Sequence, residues 1–461
     1  MTPETVLAAA SSAMPAALDR LFALLRIPSI STDPAHDADC RAAADWLVRD
    51  LQSIGFDAGR RDTTGHPMVV AHHDGDGPHI LFYGHYDVQP VDPLDLWHSD
   101  PFDPQIEDTP NGKVIRARGA SDDKGQLMTF VEACRLLKSE TGTLPCKITI
   151  LFEGEEESGS PSLVPFLQEN ADELRAEYAF VCDTGMLDAD TPAICTTLRG
   201  LLAEELTITA ADKDLHSGDY GGIAANPLHV LSSILAGLHD GAGRVTLDGF
   251  YDGVTPLPPA TRAAWDSLGF DGSEFLAAVG LSHPAGEDGF DILEHRWARP
   301  TAEVNGISGG YTGPGLKTVL PAKAHAKVSF RLVGKQDPLA IRKSFRAYVE
   351  SMVPPDCSVR FTDHGAAAAT VLPSDDAVFK QSSDALTAEW PNANVFVGGG
   401  GSIPVVGHFQ GILGMNSVMI GFAQDDDQIH SPNEKYDLRS FEKGIRSWVR
   451  VLTSIGHSND G

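Results

Sequence analysis

The sequence predicts an α/β fold, a mixed and mostly parallel sheet flanked by helices, interrupted by a smaller α+β domain of β-α-β-β-α-β order. Three observations carry this. Short, continuous apolar runs of the kind buried on both faces recur at 68–71, 80–83, 148–152, 178–182 and 417–422, with helical patterns among them. From 199 to 384 the pattern changes to half-buried strands and amphipathic helices, before the last run resumes the first domain. The length, 461 residues, suits two to three domains at roughly 150 residues each and leaves ample chain for a large core. The expected division is therefore 1–198 with 385–461, and 199–384.

Each element has its own signal. Leu18, Phe22 and Leu25 fall at helical spacing near the N-terminus, without the basic and then apolar stretches of a leader. Ala43, Leu47, Leu51 and Ile54 form one face of a helix over 38–54, and Leu127, Phe130, Val131, Cys134 and Leu137 do the same over 124–138. In the inserted segment, 202–209 alternates as a half-buried strand and 227–239 reads as a helix. A short strand falls near Thr318, followed by a strand at 326–333, a helix at 339–352 and a strand at 358–362. The Pro- and Gly-rich stretch 247–315 reads as an irregular insertion.

Composition narrows the function. With 35 Lys+Arg against 64 Asp+Glu the net charge is −29, which argues against a nucleic-acid partner. No run of about 18 apolar residues occurs, so no membrane span is expected. Cys40, Cys134, Cys146, Cys182, Cys195 and Cys357 show no paired spacing, so they read as reduced core residues of a cytoplasmic protein.

Chemistry-bearing residues follow the apolar runs. Gly84-His85-Tyr86-Asp87 follows 80–83, Glu153-Gly154-Glu155-Glu156-Glu157 closes 148–152, Asp183 follows 178–182, and a loop with His430 follows 417–422. Asp122-Asp123 sits just before the helix at 124–138. Ligands of open α/β sheets bind beyond the carboxyl ends of strands, so acidic and imidazole groups from five segments converge where a site belongs. Taken singly, each has a duller reading: Asp-Asp before a helix as an N-cap, three Glu as a solvated face. Together, imidazoles and carboxylates without Cys suit two divalent ions, zinc or manganese, and a hydrolase.

Three segments, Gly84-His85-Tyr86-Asp87-Val88-Gln89-Pro90, Gly119-Ala120-Ser121-Asp122-Asp123-Lys124-Gly125 and Glu153-Gly154-Glu155-Glu156-Glu157-Ser158-Gly159-Ser160, resemble the M20 metallopeptidases. With Leu215-His216-Ser217-Gly218 they are nearest the carnosinase-like, cytosolic non-specific dipeptidase branch. The resemblance implies two divalent ions per subunit, Zn²⁺ or alternatively Mn²⁺. His85 and Asp183 would hold one, Glu157 and His430 the other, and Asp122 both, with a cis bond to Asp123. It implies Glu156 as general base toward a metal-bridging hydroxide, Asp87 behind His85, and Glu155 facing solvent. It further implies a lid/dimerisation domain whose His216 acts in the partner's site of a homodimer, and Arg331 on the substrate carboxylate. Thr318, Asn305, Gly401 and Ser402 would contact substrate, a small dipeptide or aminoacyl compound. Where relatives carry Arg-Glu before Gly-Gly-Ser-Ile-Pro, this chain has Gly398-Gly399, which widens the pocket or loosens the loop. The alternative in the same chemistry is an N-acyl-amino-acid or carbamoyl amidase; a catalytically silent, metal-stabilised binding protein is the remaining reading.

Overall fold

In the larger sheet, strands follow the spatial order Asp57–Arg61, Met68–His73, Lys147–Glu153, His79–His85, Tyr178–Val181, Asn416–Ile420, Ala193–Leu198. Its centre is parallel: His79–His85 runs beside both Lys147–Glu153 and Tyr178–Val181, which in turn runs beside Asn416–Ile420. Outward from there the pairings are antiparallel. All five apolar runs are strands here; Asp57–Arg61 and Ala193–Leu198 are additional ones. This is a computed structural model, and it describes residues 3–401 and 403–456.

The sheet's central strands are buried on both faces because helices cover them. Phe82 stacks on Phe130 of the Lys124–Thr141 helix with ring centroids 3.7 Å apart, and meets Trp448 of the Leu438–Gly456 helix edge-on at 5.5 Å. Asp37–Ile54 and Lys124–Thr141 both end on a left-handed glycine, Gly55 and Gly142, which lets the chain turn back toward the sheet. The N-terminal helix, Pro3–Leu25, corrects one expectation. By length and apolar composition it could cross a membrane. Instead its Leu21, Leu24 and Leu25 are fully buried, it packs on the Lys124–Thr141 and Leu438–Gly456 helices, and Arg20 pairs with Glu132. Leu18 and Phe22 are only partly covered.

The chain divides into two units: Met1–Thr196 with Leu372–Val397 and His408–Gly461, and Thr197–Val371 with Gly398–Gly407. The return to the first unit falls at Leu372 rather than at 385. The Ala377–Glu389 helix buries Val378, Phe379 and Leu386 and packs along Leu438–Gly456, and Trp390 Nε1 donates to Ser447 Oγ at 3.0 Å.

The second unit is an antiparallel sheet in the order Thr301–Gly309, Lys323–Leu332, Gly200–Thr209, Ser358–Ala367. Helices Pro227–Ala236 and Pro338–Met352 close over one face, burying Leu231, Ile234, Ile341, Phe345 and Val349 against Leu202, Leu206, Val328 and Phe330. The β-α-β-β-α-β order holds, but its third element is Thr301–Gly309, not a strand near Thr318. Val319–Leu320 pairs only with Leu215–His216 in a separate two-stranded ladder. Thr301–Gly309 escapes sequence patterning because it is an edge strand that buries Ala302 alone, and a bulge at Asn305 breaks its alternation. The stretch before it is also more regular than expected. It holds helices Pro259–Asp266, Gly272–Ala277 and Ile292–Trp297, the last opened by a capping box between Asp291 and Glu294.

Candidate metal centre

His85 ends its strand fully buried. Its Nε2 lies 3.0 Å from Asp122 Oδ1, and its Nδ1 lies 3.1 Å from the carbonyl oxygen of Asp87 and 3.4 Å from that residue's Oδ1. Asp87 does more than stand behind the imidazole. Its carboxylate accepts the backbone N–H of Glu156 at 3.2 Å and of Glu157 at 3.0 Å, so one side chain ties the first motif to the third. On the other side of Asp122, Oδ2 lies 2.9 Å from His430 Nε2, which is 3.2 Å from Glu157 Oε2.

Two groups of ligand atoms result. His85, Asp122 and Asp183 offer atoms within 4.8 Å of one another, and so do Asp122, Glu157 and His430. Asp122 is common to both, and its bond to Asp123 is cis. The fit to divalent cations rests on these donors. Each group pairs an imidazole nitrogen with two carboxylates, and Glu157 Oε1 is buried without a hydrogen-bond partner among the described residues.

Electrostatics agree with a concentration of negative charge. Burial is the largest influence on His85 and would lower its pKa. The bonds to Asp122 and Asp87 outweigh it and raise the imidazole well above its ordinary value. His430 rises to about 10 through Asp122 and Glu157. Burial and then neighbouring carboxylates raise Asp183 far above the carboxylate range, His85 notwithstanding. Glu156, which belongs to neither ligand group, is raised to about 7, by burial first and then by Glu157, Asp122 and Asp87 against the opposing pull of His85.

The scaffold under the cluster involves residues to which sequence reasoning gave no role. Glu434 is fully buried and accepts four bonds: from Arg118 Nη1 at 2.8 Å and from the backbone N–H groups of Gly119, Ser121 and Asp122 at 2.9–3.0 Å. It thereby holds the loop that presents Asp122. Ser121 Oγ donates to Asp427 at 2.6 Å, Gln89 Nε2 to Glu157 Oε2 at 2.8 Å, and the His85 N–H to Asp123 Oδ2 at 3.1 Å. The only signal for Glu434 was its place four residues after His430. His430 itself, with φ 63°, is one of three residues of its loop in the left-handed region, beside Gln428 and Asn433. Such a conformation in non-glycine residues persists where surroundings enforce it. Glu155 corrects the expectation that it faces solvent. It is 2% exposed and accepts the N–H of His66 at 2.8 Å and of Ser162 at 2.9 Å, fixing the turn that carries Glu156 and Glu157.

The remaining candidates lie in the second unit. His216 is 63% exposed, and its Nδ1 accepts the Gly218 N–H at 3.0 Å. Thr318 accepts the Ser217 N–H through its carbonyl oxygen at 3.1 Å. Arg331 pairs with Thr301 and Leu201 across the sheet, Asn305 sits in the bulge, and Gly401 is exposed. Ser402 lies outside the described residues.

The profile of peptidase family M20/M25/M40 matches residues 81–454, a span that takes in every residue of both groups. The chain belongs to this peptidase family. Within the M20 peptidases it is 30% identical to the Cys-Gly metallodipeptidase of Candida albicans, over 96% of this chain and 95% of that one. It is 27% identical to the Beta-Ala-His dipeptidase of Rattus norvegicus, over 86% of this chain and 81% of the relative. The solved structure of the dipeptidase Dug1p from Saccharomyces cerevisiae superposes with a TM-score of 0.84 at 28% identity, covering 100% of this chain and 99% of the other. The chain is thus an M20 metallopeptidase of the dipeptidase branch, a hydrolase of peptide bonds whose family implies divalent metal ions.

Proposed function

We propose that this protein is a two-metal dipeptidase. The observation that carries the reading is the pair of ligand groups sharing Asp122. His85 and Asp183 would hold one ion, Glu157 and His430 the other, and Asp122 both. Mixed nitrogen and oxygen donors favour Zn²⁺, with Mn²⁺ the alternative. Bound there, divalent ions supply Lewis-acid polarisation and an acidified water. The chain's own residues do the rest. Glu156, beside the ligands but not among them, takes the proton of the attacking water and returns one to the leaving amine. Asp87 keeps the His85 ring in place and spaces Glu156 and Glu157 through their backbone N–H groups. Gln89 orients Glu157.

In the second unit, His216 is assigned to the oxyanion. An Nδ1 that accepts the Gly218 N–H leaves Nε2 as the protonated, outward donor, which supports the assignment. Its exposure fits action in the partner's site of a homodimer formed through this unit. The exposed Val304 and Ile307 on the edge strand Thr301–Gly309 fit such an interface. Arg331 is assigned to the substrate's terminal carboxylate, with Asn305, Thr318, Gly401 and Ser402 as further contacts. Six free cysteines, five of them buried, support a cytoplasmic location.

A panel of dipeptides headed by Cys-Gly, set against their N-acetylated counterparts with Zn²⁺ or Mn²⁺ supplied, tests the reading. Turnover of the free dipeptides is expected. Cleavage confined to the acylated set would instead identify an N-acyl-amino-acid amidase.

A further inference from the structure

The glycine loop beginning at Gly398 has no side chains with which to anchor itself, and at Gly398 none could be added. A Cβ there would lie 2.5 Å from Trp297 Cβ and 2.9 Å from Thr197 Oγ1. Gly398 and Gly399 end the strand Val395–Gly399, and beyond it Arg199 binds the carbonyls of the next two glycines. Arg199 donates its backbone N–H to Gly401 O at 3.1 Å and its Nε to Gly400 O at 2.9 Å. Its Nη1 reaches the carbonyl of His295, in the Ile292–Trp297 helix, at 3.3 Å. A planar guanidinium is suited to this, since it offers several donors at fixed angles where an ammonium offers a point charge.

Arg199 also stands next to Arg331. It directly precedes the strand Gly200–Thr209, whose Leu201 is the cross-strand partner of Arg331, and strand alternation directs 199, 201 and 331 to the same face. The charge of Arg331 acts on Arg199. Burial first, then the charge of Arg331 and lastly that of Arg296, bring Arg199 down to about 10 against the opposing pull of Glu303. Two like charges kept together in a partly desolvated place repel each other, and a carboxylate brought to them is attracted.

We propose that Arg199 is a positioning residue for carboxylate recognition: it clamps the loop at Gly400 and Gly401 by their carbonyls and sets a second positive charge beside Arg331. The proposal rests on the assignment of Arg331 to the substrate carboxylate. It gives this chain a means of ordering a loop whose side chains are missing, and it makes the charge on the C-terminal end of the substrate the feature being selected.

The test compares Ala-Ala with its C-terminal amide on the metal-loaded full chain, for the parent, Arg331→Gln, Arg199→Gln and Arg199→Lys. Loss of a charge-assisted contact should lower the acid-to-amide ratio of kcat/KM by about 10- to 100-fold in Arg331→Gln and by about tenfold or more in Arg199→Gln. In both variants the loss should fall in KM for the acid rather than in kcat. Arg199→Lys, which keeps the charge and loses the fork, should recover part of the ratio but not all. An unchanged ratio in Arg199→Gln beside a collapsed one in Arg331→Gln would overturn the proposal alone. An unchanged ratio in Arg331→Gln would remove the assignment on which it rests. Full recovery by Lys would show that charge suffices and the clamp does not matter. If Arg199→Gln fails to fold, the ratio in Arg199→Lys decides.

Discussion

In the first unit the residues assigned to the ions are held from behind. Asp87 braces His85 and the backbone of Glu156 and Glu157, Gln89 braces Glu157, and Glu434 braces the loop of Asp122. In the second unit His216 is 63% exposed, Asn305 interrupts an edge strand, and Gly401 is exposed with its carbonyl bound by the Arg199 N–H. Groups that must hold charge in fixed geometry are packed at strand ends and over-anchored, because a carboxylate left to move would lose both its ion and its orientation. Groups assigned to substrate need access, and their anchoring is correspondingly light.

Substitutions sharpen this contrast, the largest effect first. Glu156→Gln should lower kcat by about 10²–10⁴-fold, the range of a general acid–base group, while bound metal by elemental analysis stays at the parent's level. Loss of metal with the activity would make Glu156 a ligand instead. His216→Ala should lower kcat by about 10²–10³-fold, as removal of an oxyanion donor does, without changing metal content. An unchanged kcat with a raised KM would reduce the second unit to substrate binding. Glu434→Gln keeps the shape of the anchor and removes its charge. It should weaken metal affinity by about 10–100-fold, the usual cost of an outer-shell change, and a calorimetric titration would read it. No change would show that Asp122 holds its place unaided.

What the sequence disclosed follows the same contrast. His85, Glu157, Asp183 and His430 stand out because they follow strands with unmistakable apolar runs, Asp122 because it precedes a helix, and the M20 resemblance assigns all five to the ions. Glu434 and Glu155 do not stand out. A buried carboxylate that satisfies backbone N–H groups is written with the same letter as a solvated one, and only the folded chain reveals its partners. The strand Thr301–Gly309 was hidden for a related reason. An edge strand with a bulge owes its existence to its neighbour Lys323–Leu332, not to its own alternation. The N-terminal helix was recognised from Leu18, Phe22 and Leu25, of which Leu25 is fully buried beside Leu21 and Leu24.

The two ligand groups sharing Asp122 are the centre of this account, and metal stoichiometry tests them most directly. Titration of metal-free protein with Zn²⁺, followed by calorimetry and elemental analysis, should reach two ions per chain. His430→Ala and Asp183→Asn should each retain one, and Asp122→Asn should retain neither firmly. A parent that saturates at one ion, or a His430→Ala variant that still binds two as tightly, would contradict it.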